Sequence, residues 1–435
     1  MKALKRLRLE LGNFARFNPT CRYVTSHILT IKEMLRSIRT ATDCALSAAE
    51  LARAARICPS PRKLRRLEAN LRRRIARIDP AGLDWDRVFP YSQPREIRKG
   101  IILKKPLAAG EKGVLLIAFE DHWLRLLRYA DINKLAGDYR LVLGPTWSPP
   151  HDLPFMLAAK MWPGTLCHLI SSLEDIPAFA RLADNLVTVP LLSSNWVNPD
   201  LFDTSEPVPK EFDMVMLANF ATYKRHFLLF RALREMPATT RVLLLGKPLE
   251  GRGEDTILAE ADLYGVSDRI TIRRGLPDTE MVRAMRSAKV SIILSGNEGA
   301  CVAVVEAMFA DIPVGLMADA IVGSRGFVND QTGCLFKPHH LGQQLSSFID
   351  SFDRYSPRRW VMDNNISYNG STRLLNDRLY QAALADGEPW TQDICAHQWR
   401  PSPTYVTTDD ADRMQAACRA FELNYGIPLI PNLPT

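Results

Sequence analysis

Residues Lys289–Leu316 read KVSIILSGNEGACVAVVEAMFADIPVGL. The β-branched and apolar run Val290–Leu294 has the composition of a buried strand, and it stops at a polar loop, Ser295–Gly299. A helical pattern follows, then Pro313 and a second apolar run. Strand, loop, helix and strand at this spacing form a parallel crossover unit. Two carboxylates sit in it: Glu298 in the loop at the carboxyl end of the strand, and Glu306 on the helix about two turns in. Ligands of open parallel sheets bind at that end, where the free N–H groups of a helix start favour anionic oxygens. A carboxylate there cannot favour a phosphate, but it can accept hydrogen bonds from the hydroxyls of a sugar or ribose. The pattern therefore points to a ligand carrying both chemistries, such as a nucleotide sugar. The competing reading is a solvated Glu298 and a locally paired Glu306 on an ordinary helix, so the flanking chain has to decide.

Working outward, the same alternation continues. Phe212–Phe220 reads as a strand that runs through Ala221–His226 into an apolar-periodic helix reaching about Met236. Arg241–Leu245 is a short strand closed by Gly246, Thr256–Tyr264 a helix and Ile270–Ile272 a strand; Asp278 is placed to N-cap a helix to Ser287. Repeated strand–helix–strand units predict a doubly wound parallel sheet. On the amino side, Gly113–Phe119, Tyr139–Leu143, Thr165–Ile170 and Leu186–Leu191 read as strands. The stretch 203–212, with little apolar content, marks a boundary. Beyond 340, helices are expected over Leu341–Phe352, Ser371–Leu384 and Asp409–Phe421.

With these residues in view, the chain resembles the retaining glycosyltransferases of the GT-B fold, most closely glycosyltransferase family 4. Glu298 and Glu306 match the E-x7-E signature, followed by Ala307-Met308 and the Asp311-Ile312-Pro313-Val314 turn. Ile321–Gly326 and Asn329–Phe336 resemble the stretch after that helix, and Ser194–Phe202 resembles the interdomain passage. The resemblance covers 212–340 most closely, extends over 113–203 and is absent before that. It implies an α/β protein with two Rossmann-like doubly wound parallel-sheet domains facing a cleft, here with an α-helical N-terminal extension. It divides the chain into a basic helical extension (1–100), an acceptor domain (101–205), a nucleotide-sugar donor domain (206–355) and a helical tail bracing the amino domain (356–435).

The resemblance also implies roles. Glu298 would contact the hydroxyls of the donor sugar and Glu306 the ribose. The diphosphate would lie against the helix start at Gly299, Ala300, Cys301 and Val302, gripped by Lys224. Asn219 stands where the family usually has an arginine, leaving Arg225 to supply a second positive charge. Two cations at a helix start are poor dipole chemistry unless an anion lies between them. Gly246 ends a strand that faces the nucleotide in the family. Transfer would proceed on the front face, the leaving phosphate taking the acceptor proton, with no metal and no other cofactor. Departures fall on the acceptor side: the family's Gly-rich loop after the first strand is replaced by Glu120-Asp121-His122-Trp123, and its Phe-Gly after the first Glu by Ala300-Cys301. His122 is a candidate acceptor-binding or acid–base group, or else a capping histidine.

The implied activity is transfer of a hexose from a nucleotide-diphosphate sugar to a glycan or lipid-linked acceptor, in surface polysaccharide or glycoconjugate synthesis. A nucleotide-sugar epimerase or another GT-B enzyme, or an inactive GT-B binding protein docked at a membrane, are the alternatives. Composition frames this: 435 residues, 46% hydrophobic and 24% charged, as in globular proteins. The eight cysteines show no metal spacing, which suits a reducing, cytoplasmic setting. No apolar run reaches membrane-spanning length, and the basic start lacks a secretory h-region. Residues 1–80 carry 19 Lys/Arg against 6 Asp/Glu in a chain whose net charge is +8. Within them, residues 60–78 read as a basic amphipathic helix that could dock on the inner face of an anionic membrane or pack on the core. Nucleic acid is disfavoured, because aromatics do not interleave with the arginines.

Overall fold

The computed structural model describes residues 2–107, 110–146 and 150–432. The chain divides into two compact units: Asn18–Ser193 with Tyr368–Thr435, and Met1–Phe17 with Ser194–Ser367.

The first unit is built on a five-stranded sheet: β1 (Gly100–Lys104), β2 (Gly113–Ala118), β3 (Tyr139–Gly144), β4 (Leu166–His168) and β5 (Leu186–Thr188), adjacent in that order. β2 to β5 are parallel, and β1 closes the edge antiparallel to β2. Every residue of β1, β2 and β3 is buried, which explains why β2 reads as an unbroken apolar run rather than an alternating one. β1 is an addition to the strands expected from sequence. Its apolar core, Ile101–Leu103, is short and lies between lysines, so local pattern gives it the look of a linker.

Three of the four amino-terminal helices belong to this unit: α2 (Pro19–Arg39), α3 (Cys44–Ile57) and α4 (Pro61–Ala76), whereas α1 (Lys2–Phe17) belongs to the other. Asn18, Asp43 and Ser60 cap α2, α3 and α4 by accepting from first-turn N–H groups. α4 is the basic amphipathic helix expected at 60–78. Its apolar side, Leu67, Leu71 and Ile75, is buried within the unit, leaving its arginines outward. The tail contributes the helices Tyr368–Ala385 and Thr408–Tyr425 and the hairpin His397–Trp399 with Pro403–Tyr405. Buried Tyr405 donates its hydroxyl to the Ile102 carbonyl at 2.9 Å, fixing the hairpin on β1.

The second unit holds a six-stranded, wholly parallel sheet. Its strands are β6 (Phe212–Leu217), β7 (Val242–Leu245), β8 (Ile270–Arg273) and β9 (Ala288–Ile293). A two-residue β10 (Asn297–Glu298) follows, then β11 (Val314–Met317), a two-residue β12 (Ile321–Val322) and β13 (Gly333–Phe336). The sheet order is β13-β11-β9-β6-β7-β8, while β10 and β12 pair separately. From β6 the chain winds to one side through β7 and β8, then returns to β9 and winds to the other. The order therefore reverses between β6 and β9, which is where open α/β sheets bind ligands.

Three local expectations are corrected here. The helix after β6 is His226–Leu233, ending short of the expected Met236. Pro277, not Asp278, occupies the N-cap of the Asp278–Arg286 helix, and Asp278 lies in its acidic first turn, where it favours the helix dipole. The helix after β9 begins only at Val302, which puts Glu306 one turn in rather than two.

Candidate active site

Two loops leave the carboxyl ends of the adjacent strands β6 and β9. The β6 loop tightens into a 3-10 turn, Thr222–Lys224, and passes through Arg225 in the left-handed region, with φ 56°, before the helix starts. Lys224 is thus on the turn just ahead of the helix rather than in its first turn. Its Nζ donates to Glu298 Oε1 at 2.7 Å, and the two side chains are only 9% and 12% exposed. Burial works against the lysine's charge, but its neighbours, the Glu298 carboxylate among them, outweigh that and hold its pKa above an ordinary lysine's. A cation and a carboxylate from opposite sides of the reversal point are thereby fixed at one place.

Arg225 has a different job from its neighbour. Its guanidinium is buried and donates to the carbonyls of Leu294 and Ser295, the latter at 3.0 Å, so it ties the β6 loop to the β9 loop. Gly296 lies against it: a Cβ there would come within 3.4 Å of the guanidinium carbon. Asn219 turns the loop, accepting from the Ala221 N–H at 3.2 Å and meeting the Tyr223 hydroxyl at 3.3 Å. The Arg225 anchoring is not readable locally, because its partners are carbonyls on another strand's loop.

On the β9 side, Glu298 sits in β10, which pairs in parallel with β12 and sets Glu298 opposite Val322. Gly323 N–H donates to the Gly299 carbonyl at 2.7 Å, and Ser324 Oγ to the Cys301 carbonyl at 3.3 Å. The Ile321–Ser324 segment is therefore the backing of the Glu298 loop, a role that sequence reading missed. Ala300 and Cys301 are buried and Val302 and Gly299 half-buried. Cys301 holds φ 45° at the N-cap of the Val302–Phe309 helix, a left-handed conformation that costs a non-glycine residue about 1–2 kcal/mol. That explains why glycine is the residue the resemblance would place there. Burial, with Glu298 next to it, keeps the Cys301 thiol well above its ordinary pKa, so it stays protonated. Glu306 is half-buried on the same helix, and its charge also reaches Cys301.

Gly246 closes β7 beside this loop pair. A Cβ there would stand 2.0 Å from the Ala218 carbonyl oxygen at the end of β6. Gly246→Ala is accordingly expected to cost about 2 kcal/mol and to lower Tm by roughly 4–8 °C, measured by calorimetry.

His122 belongs to the other unit, in the first turn of the Glu120–Tyr129 helix after β2. It is buried and its ring nitrogen Nδ1 lies 3.3 Å from Arg125, which also pairs with Asp121 at 2.8 Å. Burial pushes its pKa down to about 4; Asp121 opposes this, and Arg125 and Lys99 reinforce it. It is a neutral imidazole at neutral pH. Glu120 accepts from both the N–H and the hydroxyl of Thr146. No glycine ends β2, yet Phe119 takes φ 71°, stacked on Trp399 with ring centroids 5.9 Å apart. The turn keeps a backbone shape suited to glycine without having one.

Residues 198–366, which contain both loops, match the model of glycosyl transferases group 1. The D-inositol 3-phosphate glycosyltransferase of Mycobacterium sp. (strain KMS) is 31% identical over 147 residues, covering 33% of this chain and 32% of that protein. The chain thus spans about a third of the length of the curated relatives it matches. Sucrose-phosphate synthase from Thermosynechococcus elongatus superposes with a TM-score of 0.50 at 17% identity, over 63% of this chain and 74% of that one. At that identity the likeness is one of fold: two Rossmann-like α/β units of the GT-B class.

Proposed function

We propose that this protein is a retaining glycosyltransferase that takes a sugar from a nucleotide-diphosphate donor and passes it to a glycan or lipid-linked acceptor. The observation that carries the reading is the buried Lys224–Glu298 pair at the point where the order of the second sheet reverses. As a glycosidic bond to a diphosphate breaks, negative charge grows on the leaving oxygens. An ammonium already held there, with the N–H groups that open the Val302–Phe309 helix, lowers that barrier without reorganising. Lys224 has three N–H donors, so it can serve a phosphate oxygen while keeping Glu298 in place. Glu298 then has acceptor capacity left for sugar hydroxyls, and Glu306, one turn further, for those of the ribose. Arg225 acts here as a positioning residue for the β9 loop. The match of residues 198–366 to glycosyl transferases group 1 supports the same class of chemistry. Retention would follow from front-face attack, the departing phosphate accepting the acceptor's proton. His122, held neutral, is assigned to the acceptor side.

A thermal-shift panel of UDP-, GDP-, ADP- and dTDP-sugars tests the donor site. One donor at 100 times its dissociation constant should add about 2.7 kcal/mol of stability, and Glu306→Ala should lose most of that gain. If none of the four classes stabilises the chain, the donor assignment fails. The anomeric configuration of the product, read by NMR, decides retention.

A further inference from the structure

α2 is built inside out. The residues it buries are polar, Thr30, Glu33 and Ser37, and they face α3, whose Ser47 donates to the Ser37 carbonyl at 2.9 Å and whose Arg53 meets Glu33 at 3.5 Å. Its apolar stripe points the other way. Val24, Ile28, Ile31, Leu35 and Ile38 recur every three or four residues and are 51–67% exposed, and Leu29 and Met34 widen the stripe. α1, in the other unit, repeats the inversion independently. It buries Asn13 and engages Glu10 with Arg231 and Tyr264, while Leu4, Leu7, Leu11 and Phe14 stand 54–72% exposed. Surface helices of globular proteins place these faces the opposite way round.

The charges beside the stripes select the occupant. On α2 the exposed charges are Arg22, Lys32, Arg36 and Arg39; its one carboxylate, Glu33, is buried and held by Arg36 and Arg53. On α1 the one carboxylate, Glu10, is likewise engaged, and Lys5, Arg8 and Arg16 are exposed. A second copy laid along either stripe would bring like charges together with no exposed carboxylate on the helix to meet them. The α2 stripe is also broader than a two-position helix seam. An apolar face whose own helix exposes only cations is the pattern of a helix lying in the plane of an anionic lipid surface. Neither helix crosses it, since no helix among the described residues is long and apolar enough. We infer that the outward face of α2 seats this protein on an anionic lipid bilayer. The assignment moves the docking surface from residues 60–78, whose apolar side is packed inside the first unit, to residues 24–38.

Co-sedimentation of the full chain with phosphatidylcholine vesicles, with and without about 30% phosphatidylserine, tests this, with light scattering to report the oligomeric state. The wild type is expected to pellet with the anionic vesicles only. Ile28→Glu/Ile31→Glu/Leu35→Glu should weaken binding at least tenfold, and Ile31→Glu alone severalfold. All three positions are exposed, so circular dichroism and Tm should stay unchanged, and the single change keeps the test open should the triple variant fold poorly. Wild type that stays in the supernatant, or variants that bind as the wild type does, would overturn the inference. A dimer that the variants dissociate, with no vesicle binding, would overturn it too and assign the face to a second copy.

Discussion

Replacing Lys224 by Met is expected to lower kcat by about 10²–10³-fold with whichever nucleotide sugar proves to be the donor. The same change strands the Glu298 carboxylate, 12% exposed, without its ammonium, and breaking a buried pair from one side costs about 3 kcal/mol. Activity and stability would then fall together, which a merely structural lysine would also produce. The double variant Lys224→Met/Glu298→Leu separates the two effects. With both charges gone, no carboxylate is left uncompensated, so most of the stability should return while turnover stays at the level of the single variant or below. Steady-state kinetics and urea unfolding on the four proteins of this cycle give both answers. Recovery of turnover alongside stability in the double variant would reduce Lys224 to a packing role.

Glu111→Ala should be the most destabilising single change in the first unit, at about 3–5 kcal/mol. Lys104 at the end of β1 and Glu111 are each 2% exposed and meet at 2.8 Å. Thr391 from the carboxyl-terminal tail donates both its N–H and its hydroxyl to the same carboxylate, the latter at 2.6 Å. The Lys104 ammonium also lies 3.3 Å from the centre of the Trp390 ring. Removing the carboxylate leaves that ammonium buried against the Gln392 carbonyl and the ring, and unfastens the tail from β1. The pH dependence follows. Burial alone would raise the Glu111 carboxyl, but Lys104 and Thr391 outweigh it and hold its pKa down at about 2. A depressed carboxylate pKa contributes stability that is complete above the unfolded value, near 4.5, and lost as pH falls through about 2. Glu111→Gln should therefore be less stable at pH 7 and show a flatter decline between pH 5 and 2. Urea midpoints across that range measure it; parallel curves for the two proteins would remove Glu111 as the source of acid sensitivity.

Much of the architecture was written in local runs. Val114–Ile117, Val290–Ile293 and Met214–Met216 each specify a buried parallel strand by themselves; Glu298, in the loop after β9, stood out by its place after such a strand, and Lys224, in the loop after β6, by the family resemblance. Strand order was not local. That β6 and β9 are neighbours, so that those two loops share one site, is a consequence of how the sheet winds. The same holds for Arg225, whose partners at Leu294 and Ser295 are about 70 residues away, and for Ile321–Val322, whose pairing with Asn297–Glu298 supports the loop from behind.

Sequence periodicity therefore determined where most strands and helices form, because that depends on neighbours within a turn or two, but not the residues at which the helices begin and end. Tertiary structure alone decided which side of each helix is inside. Periodicity gives α2 and α4 alike an apolar and a polar face, but not the direction in which either points. α4 packs its leucines inward against the first unit, whereas α2 spends Thr30, Glu33 and Ser37 on α3 and leaves its isoleucines outside. Burial against residues distant in sequence fixes that choice.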